Sequence, residues 1–335
     1  MRVKRYARYI LLVLSLLALL TIGILAGVRW WPRQPVAQPP PVVTINLCAQ
    51  TGSLSLPDGD TIPIWGLARM PEGVAPGNPS LVAQIPGPLL EAHVGDEIQV
   101  HLYNMLDEPV SLVFPGQDMA PDYEGAPPGG SVTYSLVAST PGTFLYESGI
   151  NPQKQVLMGL YVVLIVRTQA VYQAYDDADG HSAYDVEAVL VLDEIDPALH
   201  RAVASGESYN MRQYNPRYTV INGRAFPQTE VIRAAAGERV LCRYVNVGTQ
   251  PYAIMVLGAE QTVIAHDGYL LNYSREGYSL LIAPGEAFDA IVSVPSDAAA
   301  GTRFPLYLRS HAMSASAGTA FPGGMMTFIV VEPEP

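Results

Sequence analysis

From residue 42 onward, apolar and polar positions alternate in short runs broken by Gly and Pro. Leu90, Ala92, Val94, Ile98, Val100 and Leu102 share one parity, and His93, Gln99 and His101 take the other. That period of two predicts half-buried strands and turns both histidines outward to solvent. Gly159-Leu160-Tyr161-Val162-Val163-Leu164-Ile165-Val166 reads as a closing apolar strand, answered by Met325-Met326-Thr327-Phe328-Ile329-Val330-Val331. The 29 Gly and 29 Pro are dispersed, which favours many turns over long helices. In the body Glu194-Ile195-Asp196-Pro197-Ala198-Leu199-His200-Arg201-Ala202-Val203 reads as a short helix, with Asp196 as N-cap and Pro197 at the first helical position. His200 is expected at its surface.

The first forty residues differ. Tyr9 to Val28 is an almost unbroken apolar run of a length that spans a hydrocarbon core of ~30 Å. Arg2, Lys4, Arg5 and Arg8 precede it and Trp30-Trp31 follow, which predicts one transmembrane helix with a cytoplasmic N-terminus. A cleaved signal peptide is the alternative. Its apolar core would be shorter and end at a small-x-small site, whereas Ala26-Gly27-Val28 runs into Arg29. Pro32 to Pro41 reads as a stiff spacer. Residues 1–41 carry six Lys/Arg and no acid. The remainder holds 19 − 6 = 13 Lys/Arg against 31 acids, a net charge of −18. So acidic a body excludes nucleic acid as a partner.

The body repeats itself. Gly95-Asp96-Glu97, leading a strand to Asn104, is answered by Gly237-Glu238-Arg239, leading a strand to Asn246. Pro128-Gly129 is answered by Pro284-Gly285, and Gly142-Thr143-Phe144 by Gly301-Thr302-Arg303-Phe304. Two copies of one all-β domain, each a Greek-key sandwich or barrel, account for this. The expected division is 1–30 tail and anchor, 31–44 Pro-rich linker, 45–168 first domain, 169–215 connector with a short helix, and 216–335 second domain.

The wording of these turns resembles the multicopper oxidase family. Ile85-Pro86-Gly87-Pro88-Leu89-Leu90 with the Gly95-Asp96 turn is similar to the opening of its first domain. Ile221-Asn222-Gly223-Arg224-Ala225-Phe226-Pro227 and Val263-Ile264-Ala265-His266-Asp267-Gly268 are similar to its second. The resemblance implies an all-β fold of two cupredoxin-like barrels. It places the copper-ligand motifs on Val113-Phe114-Pro115-Gly116, on Glu147-Ser148-Gly149, on Tyr252, Met255 and Leu257, and near Leu306 to His311. Only His311 is an imidazole at such a place, with Met325 as an axial-type thioether. Type 1 copper needs a Cys thiolate and two imidazoles, and the family's full set of coppers takes about ten imidazoles. The chain has six His.

The remaining candidates are few. Met255, Met313, Met325 and Met326 could gather with His311 around Cu(I), since thioethers suit that ion. His181 lies in the Asp-rich loop Asp176-Asp177-Ala178-Asp179-Gly180, which reads as a solvated loop or, since carboxylates suit hard ions, as a weak cation site. His266 reads as a turn residue, and Glu147 as a carboxylate paired with Arg or facing solvent. Cys48 and Cys242 are the only cysteines, so either one bridge joins the two domains or both are buried thiols. The expectation is a membrane-anchored, extracytoplasmic structural or interaction module. No cofactor is expected, with copper left open at the His/Met positions. The partner expected is another membrane or extracytoplasmic protein, and a homo-oligomer is left open. The alternative is a multicopper-type oxidoreductase or a copper-binding protein.

Overall fold

The computed structural model describes residues 14, 41–310 and 322–333. Apart from Leu14 and Pro41, the expected anchor at 9–28 and the Pro-rich spacer lie outside these residues. Among the described residues no helix is long and apolar enough to cross a membrane. Residues from Pro41 on form one compact unit of two β-barrels.

In the first barrel, β1 (Val42–Ser55) runs antiparallel to β2 (Thr61–Arg69) and parallel to β4 (Glu97–Asn104), and β5 (Ser131–Val137) completes a sheet of order β2-β1-β4-β5. Facing it are β3 (Leu90–His93), β6 (Gly142–Glu147) and β7 (Tyr161–Arg167), in the order β3-β7-β6. The predicted alternation holds. Ile98, Val100 and Leu102 point inward, while His93 is exposed and His101 Nδ1 meets Thr133 Oγ1 at 2.8 Å on the outer face.

The second barrel has a sheet of order β14-β13-β16-β11-β8-β9, built from β8 (Val186–Ile195), β9 (Tyr218–Ile221), β11 (Arg239–Asn246), β13 (Gln261–His266), β14 (Tyr269–Gly277) and β16 (Ala287–Ser293). The other sheet, of order β10-β18-β17-β12-β15, comprises β10 (Ile232–Ala234), β12 (Tyr252–Val256), β15 (Ser279–Ile282), β17 (Arg303–Leu308) and β18 (Met326–Val331). β8 lies within the stretch expected as connector, yet it pairs in parallel with β11. Its apolar face belongs to the second barrel, which therefore begins near residue 186.

The internal repeat extends to single hydrogen bonds. Asn104 Nδ2 donates to the carbonyls of Glu108 (2.7 Å) and Ala126 (2.9 Å), and its Oδ1 accepts from Leu106 N. Asn246 Nδ2 donates to the carbonyls of Gln250 (2.8 Å) and Ile282 (3.0 Å), and its Oδ1 accepts from Gly248 N. Gly129 N and Gly285 N donate to the Asn104 and Asn246 carbonyls, so the Pro-Gly turns are equivalent. Both Asn side chains are fully buried, and each replaces the ladder bonds that its strand loses on turning away. The paired turns at Gly95 (φ 95°) and Gly237 (φ 82°) both need the left-handed region, which glycine enters without steric cost.

Short helices fill the corners. α1 (Pro152–Met158) follows β6, and α2 (Pro197–Ala204) follows β8. Asp196 accepts from Ala198 N at 2.9 Å and Pro197 opens α2, as predicted. His200 departs from expectation. α2 packs on β2, so the imidazole is 1% exposed and its Nδ1 donates to the Pro63 carbonyl at 2.9 Å.

The barrels join across an apolar seam of Ile64, Ile85 and Val163 against Val191, Val220 and Val245. A charged cluster crosses the same interface. The Arg243 guanidinium, 1% exposed, meets Asp289 at 2.8 Å, Glu187 at 2.7 Å and Thr143 Oγ1 of the first barrel at 3.0 Å. Thr143 and Tyr175 each donate a hydroxyl to Asp289, at 2.7 and 2.6 Å. Removing one member of such a set leaves a buried charge uncompensated. Arg243→Ala should lower unfolding stability by about 3–5 kcal/mol in denaturant titration, and Thr143→Val, which keeps the charges paired but removes a hydrogen bond from each of two of them, by about 1.5–3 kcal/mol.

Candidate functional site

The two first-barrel motif positions do lie side by side. Val113 N donates to the Glu147 carbonyl at 2.8 Å, in an isolated antiparallel bridge between the loop before β5 and the end of β6. Phe114 turns into the barrel core, with its ring centroid 4.2 Å from Tyr146 and 5.2 Å from Tyr134. Gly149 is packed tightly: a Cβ there would stand 2.6 Å from Val113 Cγ1 and 3.0 Å from Asp122 O. Even a methyl group has no room, so an imidazole needs a different local backbone. Ser148 Oγ donates to Gln155 Oε1 at 2.5 Å, tying this corner to α1. Among the described residues Glu147 pairs with no Arg; it is half-buried, and desolvation pushes its carboxyl above the usual range.

In the second barrel Tyr252 is fully buried, and its hydroxyl donates to Glu194. Thr249 adds its N–H (2.6 Å) and hydroxyl (2.7 Å) to the same carboxylate. Next to it, Asp193 accepts from Tyr161 OH at 2.6 Å. Burial and the charge of Glu194 push Asp193 up to about 8. The residue pattern does not single out these adjacent buried acids. Their only sequence signal is Asp-Glu ending the apolar run Val189 to Leu192. The arrangement holds protons and tyrosine hydroxyls; among the described residues no cation pairs with either acid.

The methionines divide between two faces. Met255 pairs with Tyr307, and Tyr307 with Met326, in a row across β12, β17 and β18. Tyr307 OH donates to Met255 Sδ at 3.5 Å. Met325 is 1% exposed in the opposite, core-facing layer, so it does not join Met255. His311 and Met313 lie outside the described residues.

Cys48 and Cys242 are both buried and unbridged. Cys48 sits among Ala68, Met70 and Leu81, and Cys242 in the core of the second barrel. Two separate cores rule out the bridge, and burial pushes the Cys242 thiol up to about 12. His181 lies close to Asp177 and Asp179 in their loop. His266 ends β13, stacked on Phe288 at 4.1 Å and within 3.4 Å of Asp267 and Glu286.

Models of the multicopper oxidase family match residues 80–171 and 194–333. The chain belongs to the multicopper oxidase family. It is 27% identical over 269 residues to the multicopper oxidase MmcO of Mycobacterium tuberculosis, covering 70% of this chain and 50% of that protein. It is 26% identical over 259 residues to copper resistance protein A of Pseudomonas syringae pv. tomato, covering 64% and 42%. The chain thus spans about half the length of these relatives. Its fold is that of a blue copper oxidase from Nitrosomonas europaea (TM-score 0.73, 21% identity, 87% and 86% covered). A copper nitrite reductase from the same organism is also similar (TM-score 0.68, 22% identity, 88% and 95% covered).

Family membership corrects one expectation: copper is the cofactor of this family, so the expectation of no cofactor is overturned. The donors at the matching positions are a separate matter. Val113, Pro115, Gly149 and Leu257 carry no side-chain lone pair, and the packing around Gly149 leaves no space for one. These residues do not fit the family's multinuclear copper cluster.

His200 generates a test of the packing around this site. Burial, only partly offset by the Pro63 carbonyl and Asp196, lowers its pKa from 6.5 to about 4. The unfolded chain takes a proton below pH ~6.5 that the folded chain refuses. Stability is therefore complete above that pH and falls as pH drops towards 4. Asp193 contributes the opposite slope, since its raised pKa favours the folded state below pH ~4 and that contribution is lost as pH rises through 8. His200→Asn should remove up to about 3 kcal/mol of the loss between pH 6.5 and 4, read as denaturation midpoints at the two pH values.

Proposed function

We propose that this chain acts outside the cytoplasm as a binding module on a two-barrel multicopper-oxidase fold, held to the membrane by residues 9–28, and that it does not reduce oxygen at the family's ligand motifs. Its partner is another membrane or extracytoplasmic protein. The observation that carries this reading is the Val113–Glu147 bridge packed against Gly149. The two motif strands keep their mutual place, but aliphatic contacts fill the space where imidazoles would converge. The fold is retained while the donor chemistry is replaced. The family's extracytoplasmic setting and the acidic body agree with a soluble, partner-facing domain.

A second reading has a specific observation behind it. The row Met255–Tyr307–Met326 brings two thioethers to one face, which suits Cu(I). Copper held there would be carried rather than used for oxygen reduction, because a thioether pair lacks the thiolate and imidazoles of a type 1 centre. Copper-loaded protein given a phenolic reductant should consume oxygen no faster than the same concentration of free copper. Oxygen uptake well above that rate, stopped by a copper chelator, contradicts the proposal.

A further inference from the structure

β8 is an interior strand for only part of its length. Its odd-numbered residues direct their main-chain groups toward β9, but the β8–β9 ladder starts only at Leu192↔Ile221. Asn222 closes the next stretch: Val191 N donates to its Oδ1 at 2.8 Å, its own N donates to the Val191 carbonyl, and its Nδ2 donates to the Val189 carbonyl at 2.9 Å. Beyond that cap the edge is open. The N–H of Val189 and the N–H and C=O of Glu187 find no partner on that side among the described residues. Burial follows the same boundary, with Val186 to Val189 half-exposed and every residue from Leu190 to Ile195 buried.

The open edge borders two hollows. A cleft of about 580 Å³ lies between the barrels, floored by Leu54, Ile64, Val163 and Val189. A smaller one of about 240 Å³ separates β8 from Glu230–Ile232. Val189, Asn222, Arg224 and Glu230 line both, so the two form one groove. Unpaired donors and acceptors at strand spacing beside an apolar floor are what an extended polypeptide requires for strand addition.

We propose that this groove binds an extended segment of another protein by main-chain pairing with Glu187 and Val189. An aliphatic side chain of the segment enters the cleft over Leu54 and Val189, and a basic residue meets Glu230. Charge supports a basic segment, since Glu230 is 82% exposed, among the described residues it has one ion pair, a long one of 4.0 Å to the exposed Arg224, and the body carries a net charge of −18. A proline-rich segment is a poor occupant, because proline offers no N–H for strand pairing. The proposal rests on the binding reading above.

The test starts from full-length protein in detergent and a library of random twelve-residue peptides. Bound peptides should slow hydrogen exchange at the Glu187 and Val189 amides. Val189→Pro deletes one free donor and no native hydrogen bond, and should weaken their binding about tenfold or more. Val189→Ala keeps the donor and should weaken it less. Unchanged exchange in β11 and β16 shows that the proline variant is folded. A library that yields no binder, or peptides indifferent to Val189→Pro with exchange slowed elsewhere, overturns the groove. Oxygen turnover would remove the binding reading without altering these readouts, so the two claims fail separately.

Discussion

The buried guanidinium of Arg243 is the constraint on which the arrangement of the barrels depends. It reaches Asp289 and Glu187 within its own sheet and Thr143 in the other barrel. Apolar surface alone would allow the barrels to slide, because hydrophobic contact is not directional. A desolvated cation is intolerant of slippage, since each lost partner exposes the full penalty of a buried charge. The second anion, Glu187, also accepts from Arg167, which continues the network to Glu91 of β3. Burial alone would raise the Glu187 carboxyl, but the hydrogen bonds from Arg167 and Arg243 outweigh it and hold the group below the usual range. The same network fixes the end of β8 whose free edge borders the interbarrel groove.

Within each barrel the scaffold depends on devices that do not involve a metal. Asn104 and Asn246 make matching sets of three main-chain bonds, and the Pro-Gly turns lock onto their carbonyls. The strand ends at these positions are therefore held without a metal ligand. Phe114 packs on Tyr146 and Tyr134, and Val113 stays bridged to Glu147. The family's framework is thus separable from its chemistry, as is general for folds that host sites on their loops.

Much of this was legible in the chain. Period-two alternation located β3 and β4 and the outward histidines, the Gly-acid turns marked the repeat, and Asp196-Pro197 marked α2. What was hidden depended on tertiary partners. β8 reads as an apolar run in a connector, and nothing local shows that it pairs with β11. His200 is buried by β2, 137 residues away at Pro63. Met325 and Met326 are neighbours in sequence but face opposite layers, a consequence of strand register. Arg243 sits within an otherwise apolar strand, where its burial is visible only once Asp289 and Glu187 are in place.

The account's central claim is that the motif positions no longer gather a multinuclear copper cluster. Native mass spectrometry of the protein after saturation with copper and dialysis tests it most directly. The account predicts at most one copper per chain, diminished by Met255→Leu or Met326→Leu. Retention of several coppers per chain, unaffected by those substitutions and accompanied by the visible absorption of a copper–thiolate bond, would contradict it.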